Sequence, residues 1–409
     1  MSEHVPYLDN AATTPLDPAV WERMRACLEE GLFGNPASAH SYGVAAAQAV
    51  ESARAQVAAA IGAEPGEIVW TSGATEANNL AVLGIARANA KRGKHVISVR
   101  TEHKSVLEAC ARLEQEGFEV ELLAVDRDGR LPPERLAATL RPDTVLAAVM
   151  LVNNETGVVQ DIPAIAEHVH AVGALLHVDA AQAAGRLSVD VNLLGADTLA
   201  LSAHKVYGPK GIGCLFRRRR LRRRIAPLMW GGGHEDGLRP GTLATHQVVG
   251  MGAAFERIHA CQAEDRRRAE AYRQRMLTAF AELGGVVLNG RADGVPHILN
   301  VAFAGVHGEA LTASLGGLAV SQGSACSSAS GSPSHVLRAM AVPDQLAAAS
   351  LRLSVGRFTR EPEVEAAVER IRGAVQRLRA FSPLWQAHRR GASLSALYQQ
   401  PVAEALAHG

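Results

Sequence analysis

The middle of the chain alternates two patterns: Ala-rich stretches with helical spacing, and short runs that are apolar at nearly every position. Strands of the second kind are buried on both faces, and helical crossovers between them are typical of parallel sheets. From about residue 44 to 215 we therefore expect a mainly parallel α/β sheet. The predicted strands are Ile68–Trp70, His95–Val99, Glu119–Val125, Val145–Val152, Ala174–Val178, Thr198–Ser202 and Gly213–Phe216, and the predicted helices are Val44–Ile61, Ala74–Ala90, Ser105–Glu116, Pro133–Leu140 and Ile162–Val172.

The pattern changes after about residue 262, where a smaller α+β domain is expected. We expect a large domain over residues 14–262 and a small domain formed by residues 1–13 and 263–409, with a Gly/Ser-rich cysteine loop at about 321–335. The elements predicted for the small domain are a charged helix at Glu264–Leu283, strands at Val286–Leu288, Ile298–Phe303 and Leu351–Val355, and an amphipathic helix at Glu361–Phe381.

Composition narrows the class of protein. The 409 residues are 47% hydrophobic and 20% charged, with a formal net charge of +1, which is ordinary for a globular chain long enough for two domains. Nothing in this balance indicates binding to nucleic acid or to an anionic membrane. The first residues lack the pattern of a signal peptide, and residues 311–337 have the Gly/Ser content of a loop and not of a membrane span.

The five cysteines are odd in number and scattered, which argues against a disulfide framework or a structural zinc site and favours a cytoplasmic protein. Cys326 stands apart because its segment, Ser321–Gly331, is made of small residues with nothing apolar around the thiol. A catalytic thiol that meets a substrate and then turns outward needs such a segment, and its activation must come from groups that folding brings near. Inert burial is the interpretation for the other four, Cys27, Cys110, Cys214 and Cys261.

Two apolar runs end in residues that together indicate cofactor chemistry. Asp179 ends one run, and Lys205 stands in Ser202–Gly211, just after the next predicted strand. A lysine can hold pyridoxal phosphate as a Schiff base, and an acid can pair with the protonated pyridine nitrogen so that the ring accepts electrons. Either residue alone would be interpreted as a surface lysine or a capping aspartate. Together, in apolar strands, they favour a pyridoxal-phosphate site.

A phosphate site is predicted at Thr71–Glu76, which lies between a strand and a helix. Free N–H groups at a helix start, with hydroxyl side chains, suit a phosphate, although many such turns bind nothing. A Schiff-base lysine elsewhere in the chain strengthens the prediction, with Thr75 as the side chain of choice. His204, next to Lys205, is expected to contact the phosphate or the backbone.

Three further positions are candidates for contacts to the cofactor or substrate. His103 follows a predicted strand and either stacks on the ring and moves protons or is a partly exposed loop histidine. The segment Asn153–Gly157 ends another strand and places an amide near the ring oxygen. Arg352 lies on a predicted strand, where it either clamps a carboxylate or forms a surface ion pair.

These segments, in this order, resemble the cysteine desulfurases of the IscS/NifS class, within the fold-type I, class V aminotransferase-like pyridoxal-phosphate enzymes. The resemblance runs nearly end to end, and the short cysteine loop followed by Pro333–Arg338 is similar to the IscS-type group. The segments that carry it are Tyr7–Pro15, Gly34–Ser38, Thr71–Glu76, Thr101–Lys104, Val152–Glu155, Val178–Gln182, Ser202–Gly211, Gly231–Glu235, Gly241–Leu243 and Gly323–Cys326.

The resemblance implies a large cofactor-binding domain, a smaller α+β domain and a role for each matching residue. Lys205 would be the Schiff-base lysine, Cys326 the residue that becomes a persulfide, and His103 the residue that stacks on the ring and carries a proton. The remaining implied contacts are Asp179 to the pyridine nitrogen, Asn154 and Gln182 to the ring oxygen, Ala74, Thr75, Ser202 and His204 to the phosphate, Thr242 to the phosphate of the other subunit, and Asn35 and Arg352 to the substrate carboxylate.

The implied activity removes sulfur from L-cysteine and leaves L-alanine and a Cys326 persulfide, whose sulfur serves iron–sulfur cluster assembly and tRNA thiolation. The implied partners are a second copy in a homodimer, an iron–sulfur scaffold protein and other sulfur acceptors. The one metal centre implied is a transient iron–sulfur cluster that Cys326 shares with the scaffold. A selenocysteine lyase or a class V aminotransferase is the alternative on this fold, and a non-catalytic sulfur-relay subunit is the alternative outside enzymes.

Two segments depart from the family pattern. The tail is similar only as far as Trp385 and then runs on to Gly409, which bears on whether a scaffold docks at this end of the chain. The run Arg217–Arg224 is denser in arginine than the family shows. We interpret the run as a solvated loop or strand edge, with contact to a polyanion or an acidic partner as the alternative.

Overall fold

Seven strands form the larger of two sheets in the structure, a computed structural model that describes residues 5–29, 31–221, 224–322, 334–403 and 405–406. The strands are β1 (Ile68–Thr71), β2 (His95–Val99), β3 (Glu119–Leu123), β4 (Thr144–Met150), β5 (Leu175–Asp179), β6 (Thr198–Ser202) and β7 (Gly213–Arg217). Their order across the sheet is β1-β7-β6-β5-β4-β2-β3. The pairs from β6 to β3 are parallel, and β7 runs antiparallel to both neighbours. The prediction of a mainly parallel sheet is confirmed.

Helices cover both faces of this sheet, which explains why its strands lack polar alternation. Neighbouring residues on a strand point to opposite faces. Val69 and Val96 join one apolar cluster, whereas Trp70 and Ile97 join a second cluster on the other side. The helices of this part of the chain are α1 (Pro18–Glu29), α2 (Ser41–Ala60), α3 (Ala74–Asn89), α4 (Lys104–Gln115), α5 (Pro133–Thr139), α6 (Ile162–Ala171) and α7 (Thr245–Glu256).

The smaller sheet is antiparallel and has its own apolar core. Its strands are β8 (Val286–Leu288), β9 (Ile298–Phe303) and β10 (Ser350–Ser354), in the order β10-β9-β8. Its core includes Leu8, so the first described segment packs with this sheet. The helices here are α8 (Ile258–Ala281), α9 (Gly308–Ser314), α10 (His335–Ala339), α11 (Asp344–Ala348) and α12 (Glu361–Ala380).

Helix α8 begins six residues before the predicted start at Glu264, because buried Ile258 opens it directly after α7. The predicted domain boundary at 262 therefore falls inside a helix. The two sheets have separate cores, and the division into residues 14–262 and 1–13 with 263–409 stays a prediction.

The tail beyond the family pattern folds back onto the smaller sheet. Helices α13 (Pro383–Arg389) and α14 (Leu394–Leu397) place the Trp385 ring 3.6 Å from the Arg379 guanidinium carbon. Ala405 then forms a bridge with Val287 of β8, so the tail lies along the outer strand of the sheet. None of the helices in the described residues is long and apolar enough to cross a membrane.

The arginine-rich run is mostly held within the chain. Arg217 is 2% exposed, and Arg218 donates to two backbone carbonyls, those of Val191 and Ala196, at 2.6 and 2.7 Å. Of the described arginines in the run, Arg219 and Arg220 are exposed, and residues 222 and 223 lie outside the described residues. The interpretation of a solvated run is therefore wrong for Arg217, because the strand β7 extends to that residue and buries it.

Candidate active site

The sheet topology brings Asp179 and Lys205 to the same edge. Strands β5 and β6 are parallel neighbours with Asp179 paired to Ala200, and Lys205 ends a single helical turn directly after β6. The Lys205 Nζ donates to the backbone oxygens of Ala11 and Ala12 at 2.6 and 2.7 Å. This is the edge where open α/β sheets bind ligands.

The Lys205 amine is unusually ready to lose its proton. Burial lowers the pKa of Lys205 to about 7, and the Arg186 and Arg352 cations add to the effect. The Arg186 side chain is buried, with Nη1 3.4 Å from the Lys205 carbonyl oxygen. Near neutral pH a large fraction of the amine is therefore uncharged, as a nucleophile or a general base requires.

The Asp179 carboxylate is oriented by two N–H donors. Asn78 donates from Nδ2 to Oδ2 at 2.7 Å, and the backbone N–H of Ala181 donates to Oδ1 at 2.9 Å. Asn78 is in turn held by His177, whose Nε2 lies 2.9 Å from the amide oxygen. A buried carboxylate fixed in this way can face a cationic ring nitrogen in one geometry only.

His103 caps the start of α4 and is half-buried. Its Nδ1 lies 2.8 Å from Ser105 Oγ and accepts from the backbone N–H of Ser105 at 3.2 Å. Burial lowers the pKa of His103, Asp179 opposes this shift, and Lys205 adds to it. The ring is therefore neutral at neutral pH and can both give and take a proton.

The predicted phosphate site has the shape of an anion cradle. Gly73 caps α3 with φ 155°, so the first-turn N–H groups at Ala74 and Thr75 have no acceptor within the helix. A Cβ built on Gly73 would lie 4.0 Å from Ser202 Oγ, which places this hydroxyl across the turn. His204 follows Ser202 by two residues, and its Nδ1 lies 3.1 Å from Thr13 Oγ1. Burial together with Lys205 and Lys210 lowers the pKa of His204 to about 4, so its ring is neutral.

Gln182, Asn154 and Arg352 meet beside the lysine. Gln182 donates to the Ala11 oxygen at 2.8 Å, and its own buried Oε1 has no partner among the described residues. Arg352 is 1% exposed and donates to the Asn154 oxygen at 2.9 Å and to Asp9 Oδ1 at 2.7 Å. Arg352 is therefore a buried cation that already binds one carboxylate.

Asn35 and Thr242 lie on exposed loops away from this group. Asn35 accepts from the backbone of Ala37 and lines a cavity of about 170 Å³ with Glu235 and Leu243. Thr242 is exposed on the neighbouring loop. No described contact joins either residue to Lys205, and their roles stay predictions.

Cys326 lies outside the described residues, but the chain on both sides of its segment is attached to the site. Ser321 pairs through its backbone with Arg352, and Ser334 Oγ donates to Glu155 Oε2 at 2.5 Å. Glu155 is buried beside Asn154. Ser321 and Ser334, the described residues nearest to Cys326 with such contacts, therefore both touch this group of side chains.

The residues present fit pyridoxal phosphate. The Gly73 turn offers N–H groups and hydroxyls to a phosphate, Asp179 offers a carboxylate to a ring nitrogen, and the unpartnered Gln182 Oε1 marks a buried polar position that a ligand can fill. Lys205 supplies the amine that the aldehyde requires.

Sequence reasoning missed the residues that hold the site together: Asn78, Ser105, His177, Glu155 and Asp9. One signal was present, since Asn78 is a polar residue on the buried face of α3. Its partner Asp179 is 101 positions away in the chain, and no local pattern reveals such a pair.

The fold and the pocket together define a fold-type I enzyme that uses pyridoxal phosphate. A model of the family described as "Aminotransferase class-V" matches residues 6–367. Two curated relatives named cysteine desulfurase IscS are similar throughout: that of Proteus mirabilis is 50% identical over 394 residues, covering 96% of this chain and 98% of the relative, and that of Azotobacter vinelandii is 51% identical over 397 residues with the same coverage. The chain belongs to the class-V aminotransferase family and, within it, to the group of the IscS cysteine desulfurases.

Solved structures agree with this assignment. A NifS-like protein is 34% identical with a TM-score of 0.85, covering 91% of this chain and 99% of the other. DndA from Streptomyces lividans is 40% identical with a TM-score of 0.72, covering 85% and 99%. A protein titled "SspA in complex with cysteine" is 35% identical with a TM-score of 0.77, covering 87% and 100%.

Proposed function

We propose that this chain is a cysteine desulfurase that releases L-alanine from L-cysteine and keeps the sulfur as a persulfide on Cys326. The observation that carries the proposal is the convergence of the Lys205 amine, the Asp179 carboxylate and the His103 imidazole at one edge of the sheet. The relatives' names support L-cysteine as the substrate, and a sulfur acceptor must then take the persulfide sulfur.

Pyridoxal phosphate, when bound, joins the amino group of an amino acid and withdraws electrons from its Cα. We assign its pyridine nitrogen to Asp179, whose carboxylate is already oriented by Asn78. The ring oxygen is assigned to Asn154 and Gln182, and the phosphate to Ala74, Thr75, Ser202 and His204.

Lys205 serves as the base that takes the α-proton of the substrate. With a pKa of about 7, the amine is present in both its neutral and its protonated form near neutral pH, so it can take the proton and return it. The Ala11 and Ala12 carbonyls, which accept from Nζ, hold the amine at the edge of the sheet. His103, also neutral, carries the proton at the substrate sulfur.

Arg352 binds the substrate carboxylate, with Asn35 as the second ligand. Asp9 now occupies Nη2 of Arg352, so the substrate carboxylate competes with a carboxylate of the chain itself. Exchange of one carboxylate for another keeps the buried guanidinium paired throughout, which avoids the cost of an unpaired buried charge.

The thiolate of Cys326 attacks the substrate sulfur. An S–S bond forms, the Cβ–S bond breaks, and its electron pair stays with Cβ, which gains a proton and becomes the methyl group of L-alanine. The support is that Ser321 and Ser334, on either side of Cys326 in the chain, both contact residues of the pocket. The persulfide then passes its outer sulfur to an acceptor thiol.

We further propose a homodimer in which Thr242 reaches the phosphate of the partner subunit. Large apolar side chains are exposed in the single chain on the segments that lead to Thr242 and Asn35: Trp230 is 83% exposed and Phe33 79%. Exposed aromatic rings of this size mark protein interfaces. The proposed sulfur acceptors are an iron–sulfur scaffold protein, with which Cys326 transiently shares a cluster, and tRNA-thiolation carriers, all in the cytoplasm.

The proposal is tested by counting L-alanine and sulfide released from L-cysteine in the presence of a reductant. Equal amounts from the wild type, and neither product above background from Cys326→Ala, are expected. The matched control is Cys261→Ala, which removes a half-exposed thiol on α8 and keeps full activity. Alanine and sulfide from Cys326→Ala at the wild-type rate would contradict the role of Cys326, and alanine without sulfide would point to another activity on this fold.

A further inference from the structure

Asn78 lies between the two groups that the proposed chemistry uses, Asp179 and His103. Its side chain is 0% exposed, on the face of α3 that packs on the sheet. Its Nδ2 donates to Asp179 Oδ2 at 2.7 Å and to Ser105 Oγ at 2.9 Å. Both amide hydrogens are therefore used inside the protein, one toward each group.

The Asp179 carboxylate determines which way the Asn78 amide points, and this orientation in turn sets the tautomer of His177. Its Nε2 lies 2.9 Å from Asn78 Oδ1, and its Nδ1 lies 2.9 Å from Thr198 Oγ1. Because an amide oxygen only accepts, His177 carries its proton on Nε2 and accepts from Thr198. Burial lowers the pKa of His177 to about 4, so this neutral form persists at neutral pH. A reversed amide would place its oxygen against the Asp179 carboxylate, where both atoms are acceptors.

Ser105 links Asn78 to His103 through its hydroxyl group, which accepts one hydrogen bond and donates another. Its hydroxyl oxygen accepts from Asn78, so its own hydrogen points to His103 Nδ1, 2.8 Å away. The backbone N–H of Ser105 also donates to Nδ1, at 3.2 Å. With two donors on Nδ1, a neutral His103 carries its proton on Nε2.

We propose that Asn78 is a positioning residue that ties Asp179 and His103 into one hydrogen-bonded unit. One amide hydrogen orients the carboxylate for the pyridine nitrogen, and the other, through Ser105, sets His103 with its proton on Nε2. The inference rests on the proposed function for the roles of Asp179 and His103. The charged and titratable groups that face His103 from other elements are Asp179 and Glu155, which raise its pKa, and Lys205 and His335, which lower it.

Three variants separate the two branches of this unit. Asn78→Ala removes both donors, and Ser105→Ala removes the hydroxyl branch to His103 alone. Asn79→Ala is the matched control, because among the described residues the Asn79 amide donates only to the backbone oxygens of Thr75 and Ser105. The readouts are the ¹⁵N shifts of the His103 ring, assigned with His103→Gln in enzyme labelled at histidine, and the dissociation constant for pyridoxal phosphate.

In the wild type we expect a bare Nδ1 and a protonated Nε2 on His103, with or without cofactor. Ser105→Ala raises the fraction of the other tautomer about 5-fold, since one of two hydrogen bonds to Nδ1 is lost, and leaves cofactor affinity unchanged. Asn78→Ala weakens cofactor affinity about 10-fold and changes the His103 signal as well, because one lost donor served a charged group. Asn79→Ala changes neither readout.

A merely structural role for Asn78 predicts a lower melting temperature with both readouts unchanged, and that result would overturn the inference. Should Asn78→Ala not fold, the Ser105→Ala result decides alone, and an unaltered His103 signal there counts against the inference. The histidine signal is read without turnover. An enzyme that makes no alanine but shows the expected tautomer shifts would refute the proposed function and leave the hydrogen-bonded unit intact.

Discussion

The pocket at the sheet edge and the surface around Trp230 differ in whether their side chains have partners within the same chain. In the pocket, each of Asp179, His103 and Lys205 has hydrogen-bond partners within the chain. At the surface, Trp230 and Phe33 are largely exposed, and Thr242 lies exposed directly after Gly241, whose φ is 114°. One chain by itself therefore holds the side chains of Asp179, His103 and Lys205 in place, whereas the phosphate end of the site is proposed to need a second copy.

The loop at Glu235 and Asp236, which follows Trp230 in the chain, is nevertheless held in place by contacts to buried residues. Glu235 sits at φ 51° and Asp236 at φ 59°, conformations that cost a non-glycine residue about 1–3 kcal/mol each. Arg54 holds Glu235 through two hydrogen bonds of 2.8 and 2.9 Å, and the Trp70 backbone N–H donates to the same carboxylate. The buried ion pair between Arg54 and Glu235 thus keeps this strained loop in place.

The largest effect is expected from Lys205→Ala, which tests whether this pocket supplies the catalytic amine. Loss of the amine removes both the attachment point and the base, so the rate of alanine formation falls by at least about 10⁴-fold. Lys210→Ala, which removes an exposed lysine of the same turn, keeps its activity. Activity of Lys205→Ala near the wild-type level would show that the catalytic amine lies elsewhere.

Glu235→Gln tests whether the ion pair with Arg54 holds the loop that follows Trp230. The change leaves the buried Arg54 cation without its buried carboxylate, and the free energy of unfolding is expected to fall by about 3 kcal/mol in urea titrations. Glu51 also pairs with Arg54 but is mostly exposed, so Glu51→Gln is expected to cost less than about 0.5 kcal/mol. Equal costs for the two variants would count against a special role for Glu235.

Trp230→Glu tests whether the exposed surface is an interface. A buried charge in the dimer would raise the dimer dissociation constant about 30-fold, measured by sedimentation velocity, with the melting temperature of the monomer unchanged. Leu193→Glu is the matched control, because Leu193 is equally exposed on another part of the surface. A wild-type protein that is monomeric, or a variant that dimerises as the wild type does, would show that the surface around Trp230 is not a dimer interface.

The pH dependence of cofactor uptake tests whether the pocket lowers the pKa of Lys205. Because the folded pKa of Lys205 is lowered to about 7, the amine is neutral above that pH and protonated below it. The rate at which apo-enzyme takes up pyridoxal phosphate is expected to fall about tenfold for each pH unit below 7 and to level off above it. Arg186→Met removes a buried cation beside the lysine, so the midpoint moves upward. A midpoint near that of a free lysine would contradict the assigned environment.

The sheet could be predicted from sequence because burial on both faces leaves a local trace. Val96 and Ile97 point to opposite sides and are both fully buried, so β2 is buried at every position and was predicted at its observed bounds. Asp179 and Lys205 were also recognisable, since Asp179 ends β5 and Lys205 ends the single turn that follows β6.

The supporting network could not be predicted, because its members are close in space and distant in sequence. His177 and Asn78 are 99 positions apart, and Glu155 and Ser334 are 179 apart. A buried polar residue on α3 signals that a partner exists but not which one. The tail along β8 escaped prediction for the same reason, since Ala405 pairs with Val287.

The most direct test of the central claim is mass spectrometry of the peptide that carries Cys326 after one turnover with L-cysteine and no reductant. The account predicts that this peptide gains the mass of one sulfur atom in the wild type and gains nothing in Lys205→Ala. Alanine release with an unmodified Cys326, or with the extra sulfur on another cysteine, would contradict it.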